Sequence, residues 1–473
     1  MLFVRTPGRS PGLGQHQRLA LVGPGVSRRT AISGGSFALA AACGLTACST
    51  SPAPEPVPIA TRPAHAELSR LRDAGPRLAV AGESLNTGLL RRFYARHGFA
   101  PVWRTREAQA ESLMAVVLRS GGHGLDPELF HATVLRRASD LPSLDRDLLL
   151  SHAFLSYADA LAHGAVPVER RRPGEDLAPE AVDVADVLDA ATDSPDPVAV
   201  LEALAPATPT YSALRQALQR HGPNAASEQA NRTRSRAIEV NLERQRWLPR
   251  SLPPDRVWVN VADQRLTFYR DHKPVFTTRV VVGNDAENRQ SPEFRALIEG
   301  SFFNPPWIVP RDIVVAELLP RIQREPDYLA RNNMVMLPNG EVEQRPGPNA
   351  GVGFIMLDMP NRFDVYLHDT PAKYLFSRDN RRLSFGCIRV ENPRAFAALL
   401  MEQTLDEIDE VIGTGVTTRR AVPTPMPVFI VYQTAFADTE GTTQFRPDFY
   451  NRDARIWEQL RRRPSGERSS TEA

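Results

Sequence analysis

The sequence has few cysteines: Cys43, Cys48 and Cys387, three in 473 residues. That excludes a disulfide-built scaffold. It has no excess of either charge, with 57 Lys and Arg against 55 Asp and Glu and a formal charge of +2. No electrostatic case for nucleic acid follows. Beyond the first fifty residues no apolar run approaches the roughly 20 residues that span a bilayer. The acidic stretches show no paired spacing for a metal, so neither a metal nor a cofactor is expected.

What is present is an ordinary globular composition, 42% hydrophobic and 24% charged, on a chain long enough for two or three domains. The first 48 residues read as a leader. Arg28 and Arg29 form a basic flank, and "ISGGSFALAAACGLTAC" is a short apolar run of small residues. That layout fits a signal peptide, exported by either the general or the twin-arginine route. "LTAC" ends the run like a bacterial lipobox, with Cys48 as the residue to be lipidated; ordinary cleavage nearby is the alternative. Residues 49–64 are proline-rich and read as an extended tether.

Cysteine arithmetic follows. With Cys43 removed and Cys48 lipidated, Cys387 is the only thiol left, in a compartment where thiols normally pair.

Residues 65–250 read as helical. "LNTGLLRRFYARHG" places Leu85, Leu89, Leu90, Phe93 and Tyr94 at helical spacing, and "RDLLLSHAFLSYADALAHG" gives a long helix ending at Gly164. The acids of the alanine- and acid-rich stretch 174–235 are expected on solvated helix faces, "GPNAASEQANRTR" (222–234) as a flexible joint, and "RAIEVNLERQRWLP" as a helix. After Pro253 the period becomes two. Val257, Val259 and Val261 alternate, Leu266 and Phe268 begin a second strand, and a third ends at Gly283. A helical interlude at 310–331 precedes strands at "GVGFIMLDM", "FDVYLHD" and "PVFIVYQTAFAD" (427–438). A charged tail occupies 441–473. The fold class is α+β: an N-terminal helical domain and a C-terminal mostly-β domain over 251–440, with a helical insertion.

Within "LSFGCIRVEN" (383–392), Cys387 follows Ser384, Phe385 and Gly386. A cysteine attacks as thiolate, so it needs a base or cation nearby. His368 in "VYLHDTP" lies upstream with eighteen residues between. Gly386 allows close backbone approach, and the amides of Gly386 and Cys387 could face a developing oxyanion. Arg389 shares a face with Cys387 in an extended segment and suits a carboxylate. The residues alone leave two readings open, a small buried thiol or a nucleophile.

"HDTP" followed by "SFGCIRV" resembles the signature of the L,D-transpeptidases, with their YkuD-type catalytic domain. His368, Ser384, Gly386 and Cys387 match it; Phe385 stands where histidine is usual, which leaves the base to His368. Arg389 resembles the larger YcbB-like branch, as do "NLERQRWLP", "VNVADQRLTFY", "NPPWIVP" and "FRPDFYNRDARI". "FYARHGFAPVW" and "GHGLDPELF" are similar to the helical scaffold of that branch. No counterpart of its peptidoglycan-binding module is found.

The resemblance implies a mechanism. Cys387 attacks the carbonyl at the L-centre of diaminopimelate in a tetrapeptide stem, with His368 as base and acid, and terminal D-Ala leaves. The side-chain amine of a second stem resolves the thioester into a 3→3 cross-link. Residues 310–350 correspond to a lid. Ser384, Tyr366, Trp307 and Asn304 are candidates for lining the substrate groove. The partners implied are peptidoglycan stems, a membrane through the Cys48 anchor, and other wall-synthesis proteins, in the periplasm and with mild preference for the outer membrane. Water or an outer-membrane protein as acceptor are alternatives, as is a non-enzymatic wall-tethering lipoprotein.

Overall fold

The computed structural model describes residues 68–220 and 229–462. The leader, Cys43, Cys48, the tether, the first part of the 222–234 joint and the last part of the tail lie outside the described residues. Among the described residues no helix is long and apolar enough to cross a membrane.

The N-terminal region is helical, with one departure. Strands β1 (Arg77–Val80) and β2 (Glu83–Asn86) form a hairpin, and Leu85 belongs to β2 rather than to the helix. Ala81 and Gly82 both take positive φ, 50° and 83°, the turn that matches strand twist. Asn86 then caps the helix Thr87–Arg96, its side chain accepting from the amides of Gly88 and Leu89. Helices Glu107–Leu118 and Ser143–His163 follow; Leu149, Phe154, Leu155 and Leu161 of the latter are fully buried. The acidic stretch is not wholly solvated, because Glu202 accepts from Tyr157 Oη and His123 Nε2 at 2.6 and 2.9 Å. Nor is the second half of the joint flexible linker: Gln229–Arg246 is one helix.

The C-terminal region is a mixed sheet. β3 (Arg256–Asn260), β4 (Arg265–Arg270) and β5 (Lys273–Gly283) form the meander. β6 (Phe294–Phe303) leads into the insertion, which is not purely helical. It carries β7 (Trp307–Val309), β8 (Met334–Met336) and β9 (Val342–Gln344) in the order β7-β9-β8, with short helices between. β10 (Ile355–Asp358), β11 (Leu367–His368), β12 (Arg382–Ser384), β13 (Ile388–Val390) and β14 (Thr418–Val431) complete the main sheet. Its order is β12-β5-β13-β11-β10-β6-β14-β3-β4, and β5 also pairs β4, so the sheet closes on itself.

β14 starts nine residues earlier than expected from its apolar run, because Ala421 and Met426 flank a register shift that accommodates the prolines. The tail is also more than a tail. β15 (Ala435–Ala437) and β16 (Thr443–Phe445) pair, and the helix Asp453–Leu460 returns to the helical region.

Alternation in β3 and β14 explains how two cores share one sheet. Val257, Val259, Val428 and Ile430 face the sheet's own core. Phe429, Val431 and the half-buried Trp258 face the helical core, joined there by Ile456 and Leu460. A strand covered on both faces reads as an unbroken apolar run, which is why "PVFIVY" shows no alternation. Charges cross the same junction. Arg244 Nη1 lies 2.6 Å from Asp453 Oδ1 and Arg452 Nη1 3.1 Å from Glu293 Oε1, all four residues buried.

Candidate active site

β11 and β13 run parallel, with Leu367 opposite Ile388 and His368 opposite Arg389. Leu367 and Ile388 are fully buried in the sheet core. Side chains alternate along a strand, so His368 and Arg389 occupy the other face. Tyr366 and Cys387, one residue before each pair, look the same way. Two strands distant in sequence thus bring thiol, imidazole, guanidinium and phenol together.

The imidazole is nearly buried, 7% exposed. Its Nδ1 donates to the carbonyl of Asp369 at 2.6 Å, which leaves the Nε2 lone pair as the basic site. Burial, then the neighbouring positive charge of Arg389, depress its pKa from 6.5 to about 4. The neutral ring is the resting form at neutral pH. The carboxylate of Asp369 is occupied elsewhere. It accepts from the amides of Phe354 and Thr370 at 2.9 and 2.7 Å and pairs with Lys373 Nζ at 2.6 Å. Gly353, at φ 63°, passes so close that a Cβ there would collide with that carboxyl.

Cys387 is half-buried, with Sγ 3.8 Å from the Asp364 carbonyl. Burial raises its pKa, while the Tyr366 backbone and the Arg389 charge pull it down. No hydrogen bond joins Sγ to His368.

The turn before the thiol is internally stapled. Ser384 Oγ donates to the Cys387 carbonyl at 2.5 Å and accepts the Gly386 amide at 3.2 Å. Gly386 sits at φ 115°, a conformation closed to side-chain-bearing residues. The Gly386 amide expected as an oxyanion donor is therefore already engaged; the Cys387 amide has no hydrogen-bond acceptor among the described residues. Ser384 likewise holds the turn and is 2% exposed, rather than lining a groove.

Asn304 is also drawn inside. Its amide donates to the carbonyls of Ile412 and Val416 at 3.0 and 3.3 Å, fastening the end of β6 to the helix Leu405–Gly413. Trp307 opens β7 and its ring lies against Gly351, within the insertion's apolar cluster. Tyr366 stays on the site face, half-buried, with its pKa raised by burial.

Arg389 is the unusual charge. Its Nε is buried without a partner, and its guanidinium makes no ion pair or hydrogen bond among the described residues. A fixed, partly desolvated cation beside a thiol and an imidazole favours an anionic group there.

Residues 254–447 match the L,D-transpeptidase catalytic domain (YkuD), and residues 88–218 match the Scaffold domain. The chain therefore carries an L,D-transpeptidase catalytic domain together with a Scaffold domain. The catalytic domain supports an L,D-transpeptidase enzyme. A curated protein of Haemophilus influenzae, named "Putative L,D-transpeptidase", is 27% identical over 407 residues, 78% of each chain. A crystal structure of an Enterococcus faecium L,D-transpeptidase is 13% identical, with 38% of this chain and 50% of that one covered and a TM-score of 0.21. The match thus spans about half of the enterococcal chain. An NMR structure of the catalytic domain from E. faecium L,D-transpeptidase, acylated by ertapenem, is 14% identical, with 38% and 98% covered and the same TM-score.

The Asp369 clamp carries no signal in the sequence, because the fold alone brings the Phe354 amide to that carboxylate.

Proposed function

We propose that this L,D-transpeptidase joins peptidoglycan stem peptides by 3→3 cross-links, through a thioester on Cys387, in the periplasm and on a lipid anchor at Cys48. The observation that carries the reading is the unpaired Arg389 guanidinium beside Cys387 and His368. A stem peptide's diaminopimelate carries a carboxylate, the group such a cation would hold.

In the first half, Sγ turns toward His368 and attacks the donor carbonyl while Nε2 takes the thiol proton. A neutral imidazole and a neutral thiol at rest require that proton transfer and attack occur together. The Cys387 amide donates to the oxyanion. The imidazolium then protonates the D-Ala nitrogen as the C–N bond breaks, leaving the thioester. In the second half the neutral ring takes a proton from the acceptor amine as it attacks, and returns it to the leaving sulfur. The Asp369 carbonyl keeps Nε2 aimed throughout.

Incubation of the purified protein with disaccharide tetrapeptides, read by mass spectrometry, tests the reading. A 3→3 dimer with loss of D-Ala is expected. Cross-linking that persists in Cys387→Ala would overturn the nucleophile assignment.

A further inference from the structure

Residues 304–354 form a flap with its own small core. Val309, Ile313, Val314, Leu318, Met334 and Val342 make a buried cluster separate from that of the main sheet. Its half-buried members are Trp307, Ile322, Tyr328, Leu329 and Phe385. All but one lie between residues 307 and 342. The exception is Phe385, two residues before the thiol. The side chain where the family usually has histidine is thus the one apolar contact this cluster takes from the nucleophile turn.

The seat has a second element. The Arg289 guanidinium lies over the Phe385 ring, 4.0 Å from its centroid. Its Nη1 is 4.0 Å from Glu317 Oε1. Glu317 belongs to the flap's π-helical turn Val314–Leu318, a feature common at functional sites. The loop that carries Arg289 is fastened two residues further on, at Ser291. Ser291 Oγ donates to the Gly386 carbonyl at 2.7 Å and accepts the Gly283 amide at 3.0 Å, and Tyr450 Oη donates to the Gly283 carbonyl at 2.5 Å. One side of the seat is bolted to the sheet. The flap is tied down at its two roots, Asn304 and Phe354; against the seat itself it holds by packing and one long ion pair.

We propose that Phe385, with Arg289, is the seat on which the 304–354 flap closes, and that this closure decides whether the Cys387 thioester passes to an amine or to water. The second clause rests on the thioester reading above. The chemistry of the two fates is the same in form. An amine nitrogen or a water oxygen bonds to the acyl carbon, the C–S bond breaks, and the acceptor's proton goes through His368 to sulfur. The amine is held by the site, whereas water must be kept out, and a closed flap excludes it. Phe385 is therefore a positioning residue acting through the flap, not a group that touches the reacting atoms.

Two measurements on the purified protein test this. Amide hydrogen exchange of Phe385→Ala should rise across 310–345 while β3 to β5 stay protected; Phe385→Trp should restore the protection. This arm needs no turnover, so it decides the seat even if the thioester reading fails. Unchanged exchange in Phe385→Ala and in Arg289→Gln would overturn it. The second arm is the ratio of hydrolysed to cross-linked product from tetrapeptide donors. Loss of an aromatic seat and its cation should raise that ratio about tenfold by shifting the flap equilibrium. A ratio that does not move while exchange rises would overturn the gating role.

Discussion

His368 donates its Nδ1 proton to the backbone carbonyl of Asp369, the residue that follows it, at 2.6 Å. The Asp369 carboxylate points elsewhere and fastens the chain on both sides of that carbonyl. The side chain therefore orients the His368 ring indirectly, by fixing the peptide that faces it. Asp369→Ala should lower kcat for cross-linking of tetrapeptide donors by about 10- to 100-fold, the usual cost of losing an orienting partner, with a smaller change in KM. Asp369→Asn should recover part of it by keeping an acceptor for the Phe354 amide. Gly353→Ala should mimic the loss, since a Cβ collides with the same carboxyl. Steady-state kinetics with tetrapeptide donors check all three.

The pH dependence follows from the direction of the His368 shift. Its folded pKa of about 4 lies below the ordinary 6.5, so the folded state resists protonation. The acylation rate should rise as pH passes upward through about 4 and should show no step near 6.5. Stability has the same sense. It is fully present above pH 6.5 and is lost as pH falls toward 4, by ~3 kcal/mol in total. Nuclear magnetic resonance titration of the His368 ring gives the pKa directly, and His368→Asn should abolish the acid limb.

Burial raises the Cys387 pKa, so the free enzyme holds a thiol. Iodoacetamide at neutral pH should label it more slowly than a free cysteine, with the rate climbing only above pH 9, the ordinary thiol value. A rapid, pH-independent reaction would instead mean a standing thiolate–imidazolium pair.

Arg389→Ala removes a cation that lowers both neighbouring pKa values. The acid limb should move upward and alkylation at neutral pH should slow further. KM for tetrapeptide donors should rise by roughly 10- to 100-fold if the guanidinium holds a carboxylate by a charge-assisted contact. Neutral amide analogues of the donor should lose the distinction between the two enzymes.

The junction between the two regions carries its own prediction. Asp453→Ala leaves Arg244 buried beside an uncompensated space. Breaking one side of a buried pair costs about 3–5 kcal/mol, measurable as a drop in urea midpoint with the m-value unchanged. Asp453→Asn should cost less, because Thr434 Oγ1 still has an acceptor at 2.7 Å.

Much of this was legible in the chain before any coordinates. Alternation and helical spacing are local properties, so the meander β3–β5, the helix Ser143–His163 and the division into helical and β-rich regions could be read directly. Cys387 after a glycine and His368 at a strand end were candidates by residue type, and the resemblance paired them. Other features depend on partners far away in sequence. That Ser384 and Asn304 turn inward, that Asp369 works by its carbonyl, and that Arg289 lies over Phe385 are outcomes of which strands lie side by side. A side chain's hydrogen-bond partner is set by the closure of the sheet and not by its neighbours in the chain. Sequence determined which groups were available for chemistry; tertiary packing decided which were left free to perform it.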